Sequence, residues 1–433
     1  MSNQKAIVFF ARDFLSEWFS KLGVQLHDYS RIYIVVSDRE AKTVKEIDPD
    51  GKVFNLDDTK YSVACEYDEK HYLEVNHDRY LRWKSSVSIS KAVYPCVNVI
   101  REINRTYDVR FYLDEPVANF PNYYFSNQFR SAGARCLHYN SSWLPGYGFF
   151  CHDTSQKEPV LVNVVSNGQE LVEEHMAVRD EGNGLPLYVL PYDRYYTRAF
   201  GAIKFLLKAT VKKFMRRNQF YLLQSHSSDL FHAKCLLGSL LGGYTNATKL
   251  NLEHSKLVIY PMHYEPENIL TYFSTYHRQV EVVSQIIDSL PPDYELIIKE
   301  HPSQPGSLNT SMWQDIIKHQ RVHKIFGTDK IDNLLKKDKS VVVSFGSTMV
   351  LESAIKGIKC AVFSDVHFLD APGILRIDNV TDWPDCLNCK DVGREEVLDW
   401  YASFVNKYCF KEALRSDTPS DGVIEDIILD LSR

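Results

Sequence analysis

Two short polar turns contain residue types that can hold a phosphorylated ligand. The first, 299–302 (Lys-Glu-His-Pro), follows the apolar run 296–298, and the second, 344–348 (Ser-Phe-Gly-Ser-Thr), follows the run 341–343. Short β-branched runs bounded by turn signals predict buried parallel strands, although a buried helix has the same periodicity. Ligands bind beyond the carboxyl ends of such strands in open α/β sheets, so we interpret both turns as one site.

The second turn is typical of a phosphate-binding helix start. Ser344 or Ser347 is the predicted N-cap of a helix over 348–356, and Gly346 lets the backbone approach a ligand closely. A helix start offers free N–H groups and the positive end of the helix dipole. Glu352 follows about one turn further on, where a carboxylate can accept hydrogen bonds from ribose hydroxyls. An ordinary strand–turn–helix joint with a capping serine is the alternative interpretation.

The first turn strengthens the functional interpretation. Lys299 and His301 come directly after the apolar run, and Pro302 fixes the backbone and ends the strand. A single histidine is more often structural than functional. A Lys-x-His-Pro set about forty residues before a Ser/Gly/Thr helix start favours a binding site.

Composition limits the class of protein. The chain has 433 residues, 44% of them hydrophobic, which predicts two or three globular domains. Its net charge of −6 argues against nucleic-acid binding. The amino-terminal apolar run is too short for a signal peptide, and no later run reaches ~18 apolar residues, so we expect a cytoplasmic protein. Nine scattered cysteines are typical of reduced thiols, and the single pair Cys386 and Cys389 lacks the second pair that a zinc site needs.

Periodicity predicts two α/β halves, 1–250 and 251–433, with a cleft between them as the default ligand site. The first half opens as a βαβ unit. The predicted strands are 6–10, 32–36, 109–113, 256–260, 322–326 and 360–364, and the predicted helices include 14–22, 73–103, 277–290, 312–320, 331–336, 395–407 and 424–431.

Two further features of the first half suggest chemistry. Asp114 and Glu115 end a predicted strand, where carboxylates are candidates for acid/base catalysis but are also common in loops.

Residues 197–220 are predicted to form a basic amphipathic helix, with apolar side chains among many lysines and arginines. Its segment 204–217 could bind the anionic inner face of the cytoplasmic membrane or an anionic acceptor. Alternatively, the helix has only a structural role, with its apolar residues in the core and its basic residues in solvent.

The order of three motifs resembles bacterial capsule and surface-polysaccharide glycosyltransferases, including Kdo transferases of capsule export and, more distantly, sialyl- and polysialyltransferases. The motifs are 263–267 (His-Tyr-Glu-Pro-Glu), 299–302 and 344–352 (Ser-Phe-Gly-Ser-Thr-Met-Val-Leu-Glu). The resemblance implies a GT-B fold, in which two Rossmann-like domains face a central cleft. It also implies an acceptor-binding domain at 1–250 and a nucleotide-sugar-binding domain at 251–433, with no metal and no cofactor besides the nucleotide-sugar substrate.

The resemblance also assigns roles to residues. His301 and Pro302 match the motif that contacts a cytidine nucleotide, while Ser347 and Thr348 match the pair that holds its phosphate. Glu352 matches the acidic residue near the ribose. His263 and Glu267 are expected to face the donor.

The general base of the sialyltransferase families lies in an acidic-acidic-Gly motif. The segment 180–182 (Asp-Glu-Gly) matches it by letters but lies in a Gly/Pro-rich stretch, so we favour Glu115 or Asp114. The implied reaction moves an acidic sugar, Kdo or a nonulosonic acid, from a CMP-activated donor onto a surface polysaccharide or glycolipid. His301, Lys299 and the helix start would stabilise the departing nucleotide, and a carboxylate would deprotonate the acceptor.

Three alternatives remain open on the sequence. One is a CDP-glycerol glycerophosphotransferase, whose second essential histidine could only be His367. Another is a UDP-sugar transferase or epimerase that places Glu352 on the ribose. The third is a nucleotide- or glycan-binding protein without activity.

Overall fold

The chain forms two compact units. The computed structural model describes residues 4–66, 78, 81, 86–116, 119–180, 195–214, 220–245, 247, 250, 255–265, 274, 276, 278–411, 424 and 426–428. Unit 1 comprises 1–168, 216–225 and 404–433, and unit 2 comprises 169–215 and 226–403. These bounds differ from the predicted division at residue 250, because the chain enters unit 2 earlier and its carboxyl-terminal part returns to unit 1.

The first part of the chain alternates strands and helices, as the βαβ pattern predicts. Its elements are β1 Gln4–Phe10, α1 Leu15–Gln25, β2 Ser30–Val35, α2 Asp38–Ile47, β3 Lys52–Asn55, α3 Ser86–Thr106, β4 Tyr107–Asp114, α4 Phe120–Ser131, β5 Arg135–Ser141 and β6 Tyr147–Cys151.

Helices and a second set of strands follow. They are α5 Gly168–Asp180, α6 Tyr195–Phe214, α7 Phe220–Ser239, β7 Lys256–Pro261, α8 Gln279–Asp288, β8 Tyr294–Lys299, α9 Gln314–Ile317, β9 Val322–Ile325, β10 Ser340–Ser344, α10 Thr348–Ile355, β11 Lys359–Val362, β12 Ile374–Arg376, α11 Arg394–Tyr408 and β13 Cys409–Lys411.

The sheet of unit 1, sheet 1, has the strand order β13-β6-β5-β4-β1-β2-β3. Strands β5, β4, β1, β2 and β3 are parallel, whereas β6 and β13 join the edge in antiparallel pairs. The interior strand β1 buries both faces: Val8 and Phe10 pack into one apolar cluster, and Ile7 and Phe9 into another. Burial on both faces explains why this strand reads as a continuous apolar run.

The sheet of unit 2, sheet 2, is parallel throughout and has the order β12-β11-β10-β7-β8-β9. Strand β7 is central and pairs with both β10 and β8. The two parallel-sheet units confirm the predicted α/β class. The predicted GT-B arrangement of the units about a cleft stays a prediction.

Some predicted elements are wrong in detail. Residues 331–336 form turns instead of a helix, because Ser340 Oγ donates to the carbonyl of Leu334 and accepts from the N–H of Lys336. The predicted helix 312–320 shrinks to a 3₁₀ turn and the single turn α9. Helix α3 begins at Ser86, so the predicted start at residue 73 lies outside the described residues.

Within the described ranges, no helix combines the length and hydrophobicity needed to cross a bilayer.

Candidate functional site

Three polar turns meet at the carboxyl edge of sheet 2. Because β7 lies between β10 and β8 and all three strands are parallel, the turns that follow them emerge side by side. The turn after β7 contacts both of the others. His263 Nε2 lies 3.3 Å from Ser344 Oγ, and the Tyr264 ring meets the His301 ring edge-on with centroids 5.8 Å apart. The two turns that the sequence assigns to one site thus lie at one sheet edge.

Ser347 is the N-cap of α10. Its backbone is extended, and its Oγ accepts a hydrogen bond of 3.3 Å from the N–H of Met349. Ser344, the other predicted cap, is the buried last residue of β10, and its Oγ accepts from the N–H of Ser347 at 3.4 Å. The Ser344 hydroxyl can therefore donate its own proton to His263. Thr348, the first residue of α10, is exposed.

The start of α10 is suited to an anion. The first N–H groups of a helix have no partner within the helix, and they add to the positive end of its dipole. Gly346 precedes the cap and is buried, so the backbone there has no side chain between it and its neighbours. Glu352 lies one turn into the helix and is half-buried. The turn can thus bind a phosphate group beside a carboxylate.

Lys299 is a fixed positive charge at the end of β8. Its Nζ donates to the carbonyl of Gly327, which ties it to the loop after β9. Burial lowers the pKa of the Lys299 ammonium below its usual value, while the carboxylates of Asp329 and Glu352 oppose that shift. The attraction to Glu352 connects the β8 and β10 ends of the site electrostatically.

His301 is half-buried and held in one local geometry. Its Nδ1 accepts a hydrogen bond of 3.2 Å from the N–H of Ser303, so the neutral ring carries its proton on Nε2 and can donate there. The backbone of Gly327 runs directly against this turn. A Cβ atom at Gly327 would lie 2.8 Å from Cα of Pro302. This close packing fixes the position of the His-Pro pair.

Glu300, which sequence reasoning passed over, organises the loop after His301. It is buried, and its carboxylate accepts hydrogen bonds from the N–H groups of Gly306 and Leu308 at 3.0 Å and 2.8 Å. Burial raises the pKa of Glu300, although these hydrogen bonds oppose the shift. The residue between Lys299 and His301 therefore has a structural role.

Two buried glutamines, also missed in the sequence, hold the turn after β7. Gln279 accepts from the N–H of His263 at 2.7 Å and donates to its carbonyl at 2.9 Å. Gln304 likewise accepts from the N–H of Glu265 at 2.9 Å and donates to the carbonyl of Glu265 at 2.7 Å. A glutamine that both donates and accepts leaves the backbone little freedom, so His263 is well positioned. Glu267, expected to face the donor, lies outside the described residues.

Asp114 is buried at the end of β4 in a hydrogen-bond network. Its carboxylate lies 2.5 Å from Nδ1 of His138 and accepts from the Tyr112 hydroxyl and the Asn122 amide, both at 3.0 Å. The far side of the His138 ring contacts Ser126 Oγ at 3.1 Å. With every oxygen engaged and no exposed surface, Asp114 is placed for structure, and this geometry argues against the expectation that it acts as a base.

This network leads to a prediction about stability. Replacing Asp114 by Ala leaves His138, Tyr112 and Asn122 buried without their shared acceptor, and we expect a loss of about 3 kcal/mol in the free energy of unfolding. Urea denaturation measures this loss. Asp108→Asn, which removes only a half-exposed carboxylate paired with the exposed Arg110 in the same strand, is the control and should stay within about 0.5 kcal/mol. A stable but inactive Asp114 variant would restore its catalytic assignment.

Glu115 lies at the carboxyl end of β4 and pairs with an arginine of the neighbouring strand end. It is half-buried directly after β4, and its Oε2 lies 3.8 Å from Nη2 of Arg12, which follows the neighbouring strand β1. Asp13 comes next, with a φ of 49°, and donates its N–H to Glu40 Oε1 at 2.7 Å. Sequence reasoning missed Arg12 and Asp13, although the rule that singled out Glu115, polar residues directly after an apolar strand, also applies to them.

The other predicted sites have mixed outcomes. Asp180 is the last residue of α5, whereas residues 181 and 182 lie outside the described residues.

All nine cysteines are free thiols, and burial raises the pKa of Cys386 to about 12. Among the described residues, no three His, Cys, Asp or Glu side chains are grouped to hold a metal ion. Burial lowers the pKa of His367 to about 3, so its ring is neutral at pH 7.

Comparison with known proteins relates the chain to solved structures only. No protein-family model matches it, and no curated relative is similar. It is similar to Thermosulfurimonas dismutans KpsC, a β-Kdo 2,7 transferase, with 10% identity and a TM-score of 0.36 over 93% of this chain and 100% of that one. It is also similar to a UDP-GlcNAc 2-epimerase from Methanocaldococcus jannaschii, with 10% identity and a TM-score of 0.28 over 93% of this chain and 99% of that one.

A third similar structure is a variant of the wall teichoic acid polymerase TagF, with 9% identity and a TM-score of 0.26 over 100% of this chain and 90% of that one. Identities and TM-scores this low leave the reaction and the substrate to be argued from the residues of the chain itself.

Proposed function

We propose that the protein is a glycosyltransferase that moves an acidic sugar, Kdo or a nonulosonic acid, from a CMP-activated donor onto a surface polysaccharide or glycolipid. The observation that carries this proposal is the convergence of three polar turns at one edge of a parallel sheet. His301, Lys299 and the capped start of α10 are brought to that edge by β8 and β10. The choice of a cytidine nucleotide rests on the resemblance of the three motifs to the capsule glycosyltransferases.

The chemistry assigned to this edge is stabilisation of a leaving group. The acceptor oxygen forms a bond to the anomeric carbon as the bond from that carbon to the phosphate oxygen breaks, and CMP leaves with the bonding electrons. The negative charge that grows on the phosphate is met by the N–H group of Thr348 at the start of α10, by His301 Nε2–H and by the charge of Lys299. Fixed donors of this kind need no reorganisation during the reaction.

The acceptor hydroxyl must lose a proton in the same reaction. Glu115 is the candidate base, because it combines a position at the carboxyl edge of sheet 1 with partial exposure. Glu352 is the candidate partner for the ribose hydroxyls. The glycerophosphotransferase alternative is weakened, because His367 follows strand β11 instead of the serine turn after β10.

A nucleotide panel tests the donor class. We expect CMP to raise the melting temperature of the purified protein, and EDTA to leave the shift unchanged, because a ligand that binds only the native state stabilises it by about 2.7 kcal/mol at 100 times its Kd. UMP, UDP, CDP and GDP are the matched comparisons. A shift with UDP alone would favour a UDP-sugar enzyme, and one with CDP alone glycerophosphate transfer. No shift with any nucleotide would contradict the site.

A further inference from the structure

Helix α6 exposes a continuous apolar stripe to solvent. Its residues are spaced three or four positions apart, which places them on one helix face. Each is between 55% and 77% exposed. The members of this α6 stripe are Tyr196, Phe200, Ile203, Leu207, Val211 and Phe214.

The opposite face of α6 holds the helix in unit 2. Ala202 and Ala209 are buried there, and the Phe205 ring stacks on His232 with centroids 5.1 Å apart. Arg198 lies over the Phe326 ring at 5.0 Å and donates to the carbonyl of Ser239 at 3.2 Å. The helix is thus anchored without the α6 stripe, and the Phe205 side chain points inward.

The charge on α6 has one sign. The helix contains five basic residues and no acidic residue, in a chain whose net charge is −6. Lys204 and Lys208 are exposed, one turn apart, along one side of the α6 stripe. Lys212 pairs with Asp229. The surface that α6 presents to solvent is therefore apolar along its centre and positive along that side.

We propose that the α6 stripe docks onto an anionic lipid surface, with its aromatic and aliphatic side chains at the headgroup and acyl boundary. Lys204 and Lys208 then contact the lipid headgroups. A second copy of the chain fits less well. A two-fold pairing of α6 helices would bring lysines towards lysines, with no acidic residue on either helix to meet them. This inference is independent of the proposed reaction, since no residue of either sheet edge takes part.

Vesicle flotation of the full chain tests the docking surface. We expect the protein to float with vesicles of phosphatidylcholine and phosphatidylglycerol and to remain below vesicles of phosphatidylcholine alone. Binding should fall about fivefold for each of Lys204→Gln and Lys208→Gln, the value of one lysine near an anionic surface. Lys5→Gln with Lys42→Gln, two exposed lysines of unit 1, is the matched control and should keep the binding.

A second variant tests the apolar stripe itself. Phe200→Ser, Leu207→Ser and Phe214→Ser together should abolish flotation. These side chains are exposed, so the fold does not depend on them, and an unchanged circular dichroism spectrum verifies this. The control carries serine at three comparably exposed apolar positions outside α6, namely Val63, Leu161 and Val178.

Three results would overturn the proposal. They are failure of the unmodified chain to float with anionic vesicles, flotation that survives loss of the α6 stripe, and a wild-type dimer in sedimentation velocity that the stripe variant converts to monomer. The last result would assign the surface to a second copy of the chain. The nucleotide-induced shift in melting temperature should be the same in all these variants, so failure here is distinguishable from failure of the proposed reaction.

Discussion

Replacing Glu115 by Gln should abolish sugar transfer and leave nucleotide binding intact. Glutamine keeps the size of the side chain but cannot take up the acceptor proton, and loss of a general base lowers turnover by about 10²–10⁴-fold. Glu115 belongs to unit 1, whereas the three polar turns after β7, β8 and β10 belong to unit 2. The two functions should therefore separate cleanly.

Steady-state turnover and calorimetric titration with the nucleotide measure both quantities on the same sample. Glu17→Gln, an exposed change on helix α1 of the same unit, is the control and should keep full activity. A fully active Glu115→Gln variant would remove this residue as the base. Arg12 and Asp13 at the neighbouring strand end would then be the next residues to substitute.

Replacing His301 by Ala should lower turnover and nucleotide affinity together. The ring is fixed by its contact with Ser303, so Nε2–H is a preorganised donor. Removing one such donor to a developing negative charge lowers turnover by about 10²–10³-fold. A hydrogen bond to a charged group contributes about 1.5–3 kcal/mol, so the nucleotide Kd should rise at least about tenfold.

His319 provides a matched control for this variant. Its Nδ1 accepts from the N–H of Arg321 at 3.3 Å, the same local contact that His301 makes with Ser303. However, His319 precedes β9 and so lies at the amino edge of sheet 2. His319→Ala should leave both constants unchanged. Equal effects of the two substitutions would show that the loss at His301 is not specific to the site.

Sheet 2 was largely predictable because parallel strands buried on both faces leave a continuous apolar signal. Strands β7, β8 and β10 begin and end within one or two residues of their predicted bounds. The polar turns at their ends follow from the same signal. The choice of N-cap for α10 does not follow from the sequence. Ser344 is still part of strand β10 and Ser347 lies beyond its end, and the end of the strand is set by the pairing of β10 with β11.

The missed features depend on contacts between residues that are distant in sequence. Strand β13 has three residues and is recognisable only by its pairing with β6. The burial of Asp114 depends on His138, contributed by the adjacent strand β5, so the sequence could not separate it from Glu115. The inward orientation of Phe205 depends in the same way on its packing against His232.

Release of CMP is the measurement that tests the proposed activity most directly. The protein is incubated with CMP-Kdo and, separately, with CMP-sialic acid in the presence of surface-polysaccharide or glycolipid acceptors, and free CMP is measured by chromatography. We expect acceptor-dependent CMP release by the wild-type protein, a loss of about 10²-fold or more in Glu115→Gln and His301→Ala, and no change in His319→Ala. No CMP release from either donor, together with turnover of a UDP-sugar, would contradict the proposed function.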